Sequence, residues 1–116
     1  MRAFFAAALL LLGLLAPAMA QDAYVGGVDD LPLMPGLSAD ADATVFDAPS
    51  GRVVDATAQG RVSRADILAF YTRTLAELGW RGEGEGKFAR EGEKLTIEFP
   101  APSGGVTRVR FFLRPE

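Results

Sequence analysis

Ser63-Arg64-Ala65-Asp66-Ile67-Leu68-Ala69-Phe70-Tyr71-Thr72-Arg73-Thr74-Leu75-Ala76-Glu77-Leu78-Gly79-Trp80 is the stretch that decides the fold of this chain. Ser63 is an N-cap, and Asp66 three residues later makes a variant of the capping box. Val62 and Ile67 stand where a hydrophobic staple forms across the helix start. Leu68, Tyr71, Leu75 and Leu78 recur at helical spacing, and Ile67 and Phe70 widen the stripe. Gly79 stands where a left-handed residue ends a helix, with Trp80 placed to fold back on Leu75. The spacing predicts one amphipathic helix over 64–78, specified at both ends.

Strands surround it. Upstream, Thr44 to Asp47 and Arg52 to Gln59 flank the turn Ala48-Pro49-Ser50-Gly51, where proline suits the second position and glycine the last. Val54, Ala56 and Ala58 fall on one face of the second strand, small residues that let a helix approach closely. Downstream, Lys87 to Arg90, Lys94 to Phe99 and Val106 to Leu113 are joined by short turns, as in an antiparallel meander. Leu95, Ile97 and Phe99 face inward on one of these strands, and Val109, Phe111 and Leu113 on the next. The fold class expected is α+β: a single helix packed on one face of an antiparallel sheet, order β-β-α-β-β-β. Were the second strand at a sheet edge, self-association through it would be easy.

The other end of the chain predicts its destination. Arg2, then fourteen apolar or small residues from Ala3 to Ala16, then Pro17 and Ala18-Met19-Ala20, has the layout of a cleaved secretory signal. The apolar run is shorter than the roughly 20 residues that span a bilayer. The expected product is residues 21–116, periplasmic or secreted. With no cysteine in the chain, neither disulfides nor a lipid attached at the cleavage point is expected, so no stable membrane anchor should remain after signal cleavage. Loss of Arg2 takes the net charge from −3 to −4. An acidic chain of this kind is a poor binder of nucleic acid, which rests on neutralising phosphates.

Residues 21–43 form an acidic arm with Asp22, Asp29, Asp30, Asp40 and Asp42 and no Lys or Arg. Pro32 and Pro35 predict a stiff, extended or turning course. Leu31, Leu33, Met34 and Leu37 make it greasier than a disordered arm. Two readings follow: the arm packs along its own domain, or it is a docking peptide for a partner. The folded domain is expected over 44–114, and there the charges nearly balance, with 11 basic and 10 acidic side chains from 43 to 116.

The pattern F-Y-x3-L-x3-G-W at Phe70–Trp80, followed by a glycine-rich loop and a strand hairpin, resembles small secreted or lipid-anchored domains of Gram-negative bacteria. The resemblance spans roughly 44–113. It implies a fold and a compartment and carries no catalytic residues.

Candidate sites are few. Without histidine the chain cannot build Ser-His-Asp chemistry or an ordinary zinc site. Gly82-Glu83-Gly84-Glu85-Gly86 follows a helix end and carries carboxylates, the opposite of a phosphate cradle. The paired aspartates lack the register of a calcium loop. Chance carboxylate pairs on a domain this small do not make a glycosidase cleft. No cofactor is expected.

One surface stands out. Arg108, Arg110, Phe112 and Arg114 share the outward face of the last strand, a composition suited to an interface anchor. Its other reading is a solvated face with cross-strand pairs, such as Glu98 with an arginine. The acidic arm, through Asp29 and Asp30, is a third candidate to cover it. The function expected is a non-catalytic protein-interaction module whose partner is an envelope protein. The alternative is a small-ligand or glycan-binding module, or an inhibitor of an envelope hydrolase.

Overall fold

The structure, a computed structural model, describes residues 23–101 and 104–116. The predicted signal, 1–20, and the middle of the turn predicted at 100–105 lie outside the described residues.

Capping and periodicity do to the chain what they predict. The helix α1 runs Arg64–Glu77, opened by Ser63, whose hydroxyl accepts from the Asp66 N–H at 3.0 Å. Its close is a Schellman motif: Trp80 N–H donates to Leu75 O at 2.9 Å, Gly79 N–H donates to Ala76 O at 3.2 Å, and Gly79 has φ +91°. The strands are β1 (Leu37–Ala39), β2 (Thr44–Ala48), β3 (Gly51–Gly60), β4 (Arg81–Gly82), β5 (Lys87–Arg90), β6 (Glu93–Glu98) and β7 (Thr107–Pro115). The helix falls between β3 and β4, and every pairing is antiparallel. The seven strands of the described residues share one sheet, in the order β1-β3-β7-β6-β5-β4, with β2 also on β3.

The α+β architecture is the expected one, with two short strands added. β1 uses residues read as arm, and β4 turns the start of the glycine-rich segment into a two-residue edge. The strand 51–60 is central, not an edge: β7 lines one side, and β1 and β2 share the other.

One face of the sheet carries the core. Val54, Ala56 and Ala58 of β3, Leu95 and Ile97 of β6, and Val109, Phe111 and Leu113 of β7 are buried beneath Ile67, Tyr71 and Leu75 of the helix. Phe99 is only partly buried. The Tyr71 and Phe111 rings meet edge to face, centroids 5.2 Å apart. Each large apolar side chain buried this way contributes roughly 1.5–3 kcal/mol.

Residues 23–36 of the segment read as an arm turn rather than run extended, and they pack along their own domain, the first of the two readings. Their backbone doubles back on itself: Val25 N–H donates to Leu31 O at 2.8 Å, Val28 N–H to Val25 O at 3.0 Å, Leu31 N–H to Val28 O at 3.2 Å, and Leu33 N–H to Ala23 O at 2.9 Å. These bonds turn Val25, Val28 and Leu31, spaced three apart, to one side, and all three are in the core. The sheet needs this cover because one helix is too narrow for a face this wide.

Candidate functional site

Alternation along β3, β6 and β7 brings Arg108, Arg110, Phe112 and Arg114 together on the solvent face, with Asp55, Lys94, Thr96 and Glu98 beside them. The register sets Glu98 opposite Arg110 and Asp55 opposite Phe112, so the Arg110 side chain bridges both neighbouring strands. Its Nε and Nη2 donate to the two Asp55 carboxylate oxygens at 2.9 and 2.8 Å, and Nη1 donates to Glu98 at 2.8 Å. Its guanidinium also lies 4.8 Å from the centre of the Phe112 ring. The hydrogen bonds from Arg110 hold the Asp55 carboxyl below its usual range, and those accepted by Asp55 and Glu98 hold Arg110 above its own.

The rest of this face is similar. Arg108 lies 3.6 Å from Asp40, and Glu83 takes both Arg81 at 3.2 Å and Lys94 at 3.5 Å. Arg114 is the exposed member, and its guanidinium donates only to the neighbouring Pro115 carbonyl among the described residues. Among the described residues, the acid of the 21–43 segment that reaches this face is Asp40. Asp30 instead pairs with Arg90 at 2.8 Å, a correction to the expectation that Asp29 and Asp30 cover the arginines. The reason is the doubled-back course of residues 23–34, which carries both aspartates to the helix side of the sheet.

On that side a second surface takes shape. The Tyr71 hydroxyl donates to Pro32 O at 2.8 Å and accepts from the Met34 N–H at 2.9 Å, pinning the doubled-back segment to the helix. Burial pushes this hydroxyl's pKa up to about 12. The helix has no basic residue in its last turn. Arg90 of β5 supplies the charge there: Nη1 donates to Leu78 O at 3.0 Å, Nη2 donates to Asp30 at 2.8 Å, and the guanidinium lies 4.4 Å from the Trp80 ring centre. That hydrogen bond from Arg90 lowers the Asp30 pKa.

Between helix and segment runs an open groove of about 720 Å³. Leu33, Met34, Phe70 and Leu78 form its apolar walls, Tyr24 stands half exposed at one end, and Asp29, Asp30 and Glu77 mark its lip. Among the described residues that line it there is no Lys or Arg. Of the four apolar residues named as a docking arm, Leu31 is in the core and turned away from any partner, and Leu37 is in the core but also lines the groove. Leu33 and Met34 pack against the core with one side and line the groove with the other.

A smaller cleft of about 170 Å³ is walled by Ala39, Ala41, Ala43, Ala56 and Ala58, with Phe111 among its lining residues. Among the described residues, no group of three or more His, Cys, Asp or Glu is placed to hold a metal ion, and no helix is long and apolar enough to cross a membrane.

Sequence reading missed Arg90 and Asp30 as a pair and the Tyr71 hydroxyl as a pin, because each acts across at least 37 residues of chain. The three-residue spacing of Val25, Val28 and Leu31 was the available signal for the first part of this surface.

Comparison of the chain with protein-family models, with curated proteins and with solved structures found no match.

Proposed function

We propose that the protein is an exported, non-catalytic interaction domain of the bacterial envelope, and that it binds through the helix-side groove. The observation that carries the choice of surface is the contrast in spent charge. On the sheet face the carboxylates that meet Arg108 and Arg110 belong to the chain itself. In the groove Asp29 and Glu77 meet no cation in an ion pair among the described residues. An apolar wall with an acidic lip suits a protein segment that offers apolar side chains and a Lys or Arg. The signal-like first twenty residues and the resemblance at Phe70–Trp80 support the compartment; the absence of histidine supports a non-catalytic role.

A small-ligand or glycan reading draws on the same groove, whose volume lies within the roughly 300–1,000 Å³ of such sites. It ranks second because those sites bury most of their ligand, whereas Tyr24 and Leu78 are 50% and 38% exposed. The alanine-walled cleft, at about 170 Å³, is below that range.

The test is cross-linking and capture from the native host with the full chain, its Thr74→Arg/Leu78→Arg variant and its Arg114→Ala variant. The groove reading expects one saturable envelope partner, lost with the double variant and kept with Arg114→Ala. Capture unchanged by the double variant would remove the groove. Loss through Arg114→Ala alone would return the argument to the sheet face. No partner in any arm would favour the small ligand.

A further inference from the structure

The two ends of the sheet are managed differently. One edge is β4, two residues long, Arg81-Gly82, and followed by the charges of Glu83, Glu85 and Lys87. Short, glycine-bearing and charged edges do not template further pairing. The other edge is shared by the three-residue β1 and by β2, Thr44-Val45-Phe46-Asp47-Ala48, which among the described residues is paired on one side only, with β3. β2 contains no Lys, Arg or Pro, and its side chains are exposed from Thr44 to Asp47. Val45 and Phe46 are 50% and 55% exposed, among the largest apolar groups the surface shows. Unpaired strand backbone selects its own kind of ligand, another extended chain, and against it β2 carries a single charge, Asp47, with no Lys or Pro.

We propose that β2 is a self-association edge, pairing antiparallel with β2 of a second copy about a two-fold axis at Phe46. The sequence is suited to this register. Thr44 then faces Ala48 of the copy, Val45 faces Asp47, and Phe46 faces its own equivalent, so no carboxylate meets a carboxylate and an aromatic pair forms at the centre. Pro49, which cannot donate, falls just beyond the pairing. A five-residue strand pair buries less than the roughly 1,200 Å² of a standard interface, so the dimer is weak, with a Kd on the order of 10 µM to 1 mM. This surface is separate from the groove, and either proposal can fail without the other.

Sedimentation equilibrium of the full chain as processed by its host, from micromolar to millimolar concentration, tests for the dimer. The register is tested by mild oxidation of Phe46→Cys and Asp47→Cys, in a chain with no other cysteine. The expected results are a reversible monomer–dimer equilibrium, shifted at least about tenfold toward monomer by Val45→Lys, and cross-linking of Phe46→Cys about tenfold faster than Asp47→Cys. Unchanged far-ultraviolet circular dichroism in each variant confirms that the fold is kept. A wild-type chain monomeric at millimolar concentration, or a dimer indifferent to Val45→Lys, overturns the proposal. Equal cross-linking at the two positions overturns the register.

Discussion

The outer face of the sheet and the helix-side groove are both charged surfaces with aromatic residues, and they differ in where the opposite charge comes from. On the sheet face, strands adjacent in the sheet deliver carboxylates directly to the arginines, so Arg110 finds Asp55 and Glu98 within 2.8–2.9 Å. At the groove, Asp30 is the one lip acid that forms an ion pair among the described residues, with Arg90, and the pair supports the helix end and the fold of the segment above it. A face rich in arginine is therefore not by that fact a binding surface. What matters is how many of its charges the fold has already answered.

The comparison assigns the helix side to stability as well as recognition, and Leu31→Ala puts that to the largest test. Leu31 is 2% exposed, so its loss should cost about 2–5 kcal/mol, read as a lower urea midpoint. A change below about 0.5 kcal/mol would mean that residues 23–34 merely lie on the surface.

Tyr71→Phe removes the pin without removing the ring, and should cost about 1–3 kcal/mol. It also changes the alkaline limit. Burial raises the Tyr71 pKa from 10.0 to about 12, so the folded chain holds this proton more tightly than the unfolded one. The stabilisation is complete below pH 10 and is lost as pH rises toward 12. Wild type should lose stability over that window faster than Tyr71→Phe, and parallel curves would show that the hydroxyl is not buried in solution.

Gly60→Ala tests how the segment joins the sheet. A Cβ on Gly60 would run into the carbonyl oxygen of Gly36, where β1 begins alongside β3. The expected cost is about 1–3 kcal/mol by thermal denaturation, since both contacting groups are backbone.

The sheet face should yield the smallest effects. Arg110→Ala should lose about 0.2–1 kcal/mol, shrinking as salt is raised, because its ion pairs are partly solvated. Arg114→Ala should stay within about 0.5 kcal/mol. A loss at Arg110 as large as that at Leu31 would erase the contrast between the two sides.

Much of this was legible in the chain. Helix caps, the Schellman close and the alternation of β3, β6 and β7 are local signals, carried by residues within a few positions of one another, and the Glu98–arginine pairing followed from adjacent strands. Residues 23–36 were less legible because Pro32 and Pro35 predict a stiff course without deciding whether it extends or turns. Their apolar period of three matches neither helix nor strand, and becomes meaningful only when a sheet face needs covering.

By itself, then, the sequence determined the helix, the alternating strands, the α+β class and the exclusion of histidine and cysteine chemistry, because each rests on the near neighbours or identity of a residue. The tertiary structure alone decided that residues 25–37 enter the core, that Arg110 is satisfied from two strands, that Arg90 closes the helix end with Asp30, and that β2 stands on the open edge beside β1. Those outcomes depend on which distant residues arrive together, and strand order, which brings them there, is a property of the whole sheet.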